Sequence, residues 1–101
     1  MSTKSTKNNV IVKFFTTLRE VVGRKEEKLE LPQTATVDAL LRVLSKEYGK
    51  EFNNYIYDEL GNVRRYLQFM VNGQSITTLQ GLKTKLKEGD QIAILPPVGG
   101  G

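Results

Sequence analysis

The sequence predicts an α+β domain in which a mixed sheet of four to five strands packs on one main helix. Three observations carry this. Two β-branched, alternating segments open the chain, over residues 10–18 and 25–31. A single strongly amphipathic helical segment follows. Three further short segments with strand character come after it and end on QIAIL, residues 91–95.

The first nine residues, MSTKSTKNN, are polar and aperiodic and are expected to be a flexible lead-in. VIVKFFTTL then reads as a strand. Val10, Val12 and Phe14 fall on one face and Ile11, Lys13 and Phe15 on the other, with the first set expected in the core. REVVGR leads through Gly23 into a turn, and KEEKLEL alternates at Leu29 and Leu31 before Pro32 closes it, which suggests an antiparallel hairpin. Thr36 is a candidate N-cap with Asp38 in the first turn, where a negative charge suits the helix dipole. Val37, Leu40, Leu41, Leu44 and Tyr48 form one apolar stripe, and Gly49 is placed to end the helix. A helical turn is expected near Phe52–Ile56 and a chain reversal at Gly61-Asn62. YLQFMVN alternates again, with Leu67, Phe69 and Val71 on one side, and Asn72-Gly73 is a strong hairpin signal. A short strand is expected near residues 75–77 and a turn at Lys87-Glu88-Gly89-Asp90. The last strand then directs Ile92 and Ile94 inward. A final strand returning beside the first after the helical excursion is the β-grasp, or ubiquitin-like, arrangement.

Composition narrows the chemistry. A chain of 101 residues is one domain, expected over residues 10–95 between the lead-in and a C-terminal tail, residues 96–101. There is no Cys and no His, which excludes disulfides, cysteine nucleophiles, Cys/His zinc sites and histidine bases. The net charge of +4 is scattered, without the clustered basic and aromatic residues of nucleic-acid binding. No apolar run is long enough to span a bilayer and the N-terminus is too polar for a signal peptide. A cytoplasmic protein without nucleic-acid or membrane partners is expected. Arg64-Arg65 reads as a solvated loop, and Glu26-Glu27 and Asp58-Glu59 as surface charge.

The chemistry-bearing feature is the end, Pro96-Pro97-Val98-Gly99-Gly100-Gly101. Pro-Pro favours an extended exit from the last strand, and glycines lack the Cβ that would block a narrow channel. Extended, these residues reach roughly 20 Å, enough to bring the Gly101 carboxylate into another protein's active site. A carboxylate needs a leaving group before it transfers its acyl group. The chain has no Walker-type phosphate loop, so activation is assigned to a partner. The alternative is that the glycines are an inert end.

LKEGDQIAILPPVGGG resembles the C-terminal end of the MoaD/ThiS family, the small sulfur carriers that include the molybdopterin synthase small subunit and the archaeal ubiquitin-like small modifier proteins. DELGNVRRYLQFMVNG resembles the middle of archaeal members, and VKFFTTLREVVGRKEEKLELP the family's first two strands. One departure is the run of three glycines where members end in a diglycine after a variable residue; Gly99 then takes the variable place.

The resemblance implies that an adenylating, ubiquitin-activating-type enzyme uses its own ATP and Mg to convert Gly101 to an acyl-adenylate, the chain itself holding no cofactor and no metal. Pro96, Pro97, Gly99 and Gly100 would thread its channel. A sulfur donor would then leave a thiocarboxylate for use with the larger molybdopterin synthase subunit. In the modifier branch Gly101 is joined instead to lysines of target proteins. Alternation places Phe15, Gln68, Met70, Ala93 and Leu95 on the sheet face away from the helix. Phe15, Met70 and Leu95 are expected to be exposed there as the docking patch for such a partner. A plain interaction domain is the remaining alternative.

Overall fold

The structure is a computed structural model, and it describes residues 7–96. Its elements run β1 (Lys7–Phe14), α1 (Thr16–Val22), β2 (Glu26–Pro32), α2 (Val37–Tyr48), α3 (Lys50–Ile56), β3 (Gln68–Val71), β4 (Gln74–Ser75) and β5 (Gln91–Leu95), with short 3₁₀ turns at Ile76–Thr78 and Gly81–Lys83. The five strands form one mixed sheet in the order β2-β1-β5-β3-β4. β1 and β2 are antiparallel, whereas β5 returns parallel to β1 with Val12 opposite Ile92 and Phe14 opposite Ile94. That return is the β-grasp topology expected from the element order.

The core lies between one sheet face and α2. Val10, Val12 and Phe14 of β1, Phe69 and Val71 of β3, and Ile92 and Ile94 of β5 are buried together with Val37, Leu40, Leu41 and Leu44 of α2. Thr36 caps α2 as its sequence predicts, its hydroxyl accepting from the Ala39 amide at 3.3 Å. Phe52 and Ile56 of α3 close the core beyond the end of α2. The Asn72-Gly73 turn has φ of 52° and 82°, the left-handed pair of a type I′ hairpin joining β3 to β4.

Three boundaries depart from the sequence reading. β1 starts at Lys7 rather than Val10, because residues 7–9 pair with Pro32, Leu31 and Glu30 of β2. The polarity of Asn8 and Asn9 is accounted for by side-chain bonds: the Asn8 side-chain amide donates to the Leu86 carbonyl at 3.0 Å, and the Asn9 side-chain amide to the Glu88 carboxylate at 3.3 Å. β1 also ends at Phe14, and residues 16–22, read as the strand's end and a turn, form helix α1. Leu18 and Val22, four apart on one helix face, are buried, and Gly23 ends the helix at φ 80° with its amide bonded to the Arg19 carbonyl. The strand expected near residues 75–77 is shorter and earlier, because Ile76 turns inward and starts a 3₁₀ turn with the Ser75 hydroxyl capping Thr77.

Candidate functional site

Strand alternation divides the sheet into two faces. With Ile92, Ile94, Phe69 and Phe14 turned to the helices, Lys13, Gln68, Met70, Ala93 and Leu95 are left on the open face. The ladder sets Met70 and Lys13 on either side of Ala93, and Gln68 opposite Leu95. Phe15 follows Phe14, whose partner is Ile94, and its own backbone is extended at φ −127°, so it continues the alternation in line with Leu95. The structure therefore brings Phe15, Met70 and Leu95 to one face, at the end of the sheet from which Pro96 leaves.

These side chains are half-buried rather than exposed. On a packed strand face, neighbours two residues away and across the ladder cover much of each other's surface. Phe15 is also covered by Arg19, whose guanidinium carbon stands 5.9 Å from the ring centroid while its Nε donates to the Phe14 carbonyl at 3.3 Å. Arg19 and the half-buried Ile11 and Lys13 were not in the docking set read from the sequence. The same every-second-residue pattern that selects Phe15 along β1 also selects Ile11 and Lys13. Arg19 carries no such signal, because TTLREVV has the β-branched character of a strand.

β5 is the interior strand that carries the chain out of the sheet. It is hydrogen-bonded to β1 on one side and β3 on the other. Its start is clamped by Asp90, which is buried. Asp90 Oδ1 accepts from the Asn72 side-chain amide at 2.8 Å and Oδ2 from the Lys87 backbone amide at 2.7 Å. Asn72 Oδ1 in turn accepts from the Gln91 amide at 2.9 Å. Pro96, half-buried, is the last described residue of the proposed tail. Pro97, Gly99, Gly100 and Gly101 lie outside the described residues, as does the lead-in over residues 1–6.

Three charged groups are less idle than the sequence reading holds. Arg64 is tied down, its Nε donating to the Asn54 carbonyl at 3.1 Å and its backbone amide to the Ile56 carbonyl at 2.8 Å. Asp58 shapes a turn, and Glu27 accepts a hydrogen bond from the Tyr48 hydroxyl. Around Glu27 the titrations shift. The Tyr48 hydroxyl is pushed well above its ordinary range, by burial first and then by its bond to Glu27. Glu47 is raised by hydrogen bonding to Glu27, then by burial and by the Glu27 charge, with Arg24 opposing. Glu27 is opposite Val12 and so on the helix side of the sheet, away from the open face. Among the described residues, no group of three or more acidic side chains is placed to hold a metal ion, and no helix is long and apolar enough to cross a membrane.

A family model described as the ThiS family matches residues 12–101, so the match runs from the middle of β1 through the glycines. The chain belongs to the ThiS family. A relative of similar length is the small archaeal modifier protein 3 of Haloferax volcanii, 38% identical over 89% of this chain and 96% of that protein. Another is the molybdopterin synthase sulfur carrier subunit of Drosophila yakuba, 33% identical over 92% of this chain and 91% of that protein. Among solved structures, the solution structure of a Haloferax volcanii protein superposes with a TM-score of 0.81 and 32% identity, covering 100% of this chain and 93% of that one. This ThiS-family chain is thus a ubiquitin-like protein whose relatives include both a sulfur carrier and a protein modifier.

Proposed function

We propose that the chain is a sulfur carrier whose working group is the Gly101 carboxyl, acting in molybdopterin biosynthesis. What carries the reading is the family match continuing through residue 101, past a strand bonded on both sides. A tail leaving an interior strand starts from a fixed point, so a partner that grips the open face also sets where the tail enters.

The proposed sequence of steps is as follows. A separate adenylating enzyme binds the domain through Phe15, Met70 and Leu95 and threads Pro96–Gly101. The Gly101 carboxylate attacks the α-phosphate of the enzyme's MgATP, forming an acyl-adenylate and releasing pyrophosphate. A sulfur donor then displaces AMP and leaves a thiocarboxylate, which a larger synthase subunit uses to deliver sulfur to a pterin precursor. The chain contributes recognition and a slender acyl terminus; the nucleotide chemistry belongs to the partner.

The test is intact-mass analysis after incubation with the cognate adenylating enzyme, MgATP and a sulfur donor. The expected product carries one sulfur in place of one oxygen at Gly101, and a chain lacking Gly100 and Gly101 gains none. A truncated chain that supports molybdopterin formation as well as the full chain defeats the reading.

A second reading is favoured by the 38% identity to a small archaeal modifier protein: the activated Gly101 forms an isopeptide bond with a target lysine, losing AMP. Target lysines carrying the 88–101 segment, EGDQIAILPPVGGG, after tryptic cleavage at Lys87 are its expected signature.

A further inference from the structure

On the helix side of the sheet, α2, α3 and the segment that follows α3 enclose a cleft of about 620 Å³. Its lining is divided by charge: Arg42 and Lys46 come from α2, Asp58 and Glu59 from the segment after α3. The Tyr57 hydroxyl in its lining is buried and, among the described residues, has no hydrogen-bond partner. Burial, with the nearby Asp38 carboxylate, raises this phenol above its usual range, so it keeps its proton and remains a donor.

Beside the cleft stands an apolar side chain without cover. Leu60 is 86% exposed. Its turn is held in one shape, with Asp58 Oδ1 accepting from the Leu60 amide at 2.9 Å and the Asn62 amide at 3.0 Å, and the Asp58 amide donating to the Asn62 carbonyl at 2.8 Å. An exposed leucine alone says little. A rigid acidic turn led by leucine, next to a cleft with a basic wall, is a self-complementary pair of features, which is what a twofold contact requires.

We infer that the cleft is a self-association site, in which two copies pack about a twofold axis and each inserts its Leu60 turn into the cleft of the other. Glu59 of the entering turn meets Lys46 of the receiving α2, whose Arg42 is already paired with Asp38 at 3.6 Å, and the relation repeats in reverse. Leu60 leaves water against the aliphatic stems of those same side chains. The contact area is small and the charges are near solvent, so the dissociation constant belongs in the range of about 10 µM to 1 mM and rises with salt. The open face of the sheet stays uncovered, so this inference stands apart from the proposed carrier chemistry.

Sedimentation velocity on the full chain, from about 10 µM to about 1 mM at low salt, tests it. The weight-average mass is expected to climb toward that of a dimer with concentration and to fall back at high salt. Leu60→Asp, Lys46→Glu and Glu59→Lys are each expected to weaken association about tenfold or more, with circular dichroism unchanged because the three side chains are exposed. The Lys46→Glu/Glu59→Lys swap is expected to recover it to within about threefold. A monomer at every concentration, a dimer indifferent to Leu60→Asp, or a swap that recovers nothing overturns the inference. The first of these results would leave the cleft to a different occupant.

Discussion

The Tyr48 hydroxyl donates to the Glu27 carboxylate, fastening the last turn of α2 to the edge strand β2. The same ring meets Phe14 of β1 edge-on, with centroids 6.1 Å apart, and leans on Phe52 at 6.0 Å. Tyr48 thus joins an apolar contact and a polar one at the far end of the core. Tyr48→Phe keeps the ring and removes only the hydroxyl. It is expected to cost about 1 kcal/mol, seen calorimetrically as a melting temperature lowered by roughly 4–8 °C. An unaltered melting temperature would show that water replaces the bond at no cost.

Glu47 adds a pH dependence of known sign. Its pKa is raised in the folded chain, first by the hydrogen bond to Glu27. The folded state therefore holds this proton more tightly than the unfolded one. Its stabilising contribution is complete below the ordinary carboxyl pKa and is lost as pH rises through the higher folded value. Glu47→Gln removes that loss. The side chain is largely solvated, so the gain at neutral pH is expected to be only about 0.3 kcal/mol, or roughly 2 °C. Melting curves from pH 4 to pH 7 should show the variant's advantage growing over that interval. A constant difference across it would assign the effect to something other than this proton.

Asp90 couples two turns and the start of β5. Asp90→Ala leaves the Asn72 side-chain amide and the Lys87 backbone amide without their acceptor. The expected loss is about 1–3 kcal/mol, measured by urea unfolding. Asp90→Asn keeps the shape and one carbonyl acceptor and is expected to lose less. Equal losses for the two variants would point to side-chain volume rather than hydrogen bonding.

The parts of this fold that were legible in the sequence are those where one local rule had no rival. Alternation at Val10, Val12 and Phe14, the i, i+3, i+4, i+7 stripe of Val37, Leu40, Leu41 and Leu44, and the Asn72-Gly73 pair each admit one reading. α1 was not legible because its β-branched TTLREVV continues directly from a true strand and has no side-chain N-cap bond; Thr16 enters it at φ 48°. The pairing of Lys7–Asn9 was hidden because the Asn8 and Asn9 side chains bond to residues 86 and 88, nearly eighty positions away. For the site, parity along β3 and β5 placed Met70 and Leu95 on one face. It could not show that neighbours half-cover them, since that depends on cross-strand register. The Leu60 turn and its cleft had no periodic signal at all.

The open face yields the sharpest functional prediction. Leu95 is half-buried on that face immediately before Pro96, and Phe15 is in line with it. Lysine at residue 95 can lay its methylenes where leucine lay and lift its charge to solvent, so the fold should survive. A partner that desolvates the face would instead have to bury that charge. Leu95→Lys is therefore expected to lower kcat/KM for pyrophosphate exchange by the proposed adenylating partner roughly 10–100-fold, with Phe15→Lys acting likewise. Val43→Lys, on α2 at a side chain 39% exposed, changes charge equally on the helix side and is expected to leave exchange within about twofold. If Leu95→Lys and Val43→Lys reduce exchange alike, long-range charge rather than docking is responsible. If neither reduces it, the enzyme grips the chain elsewhere.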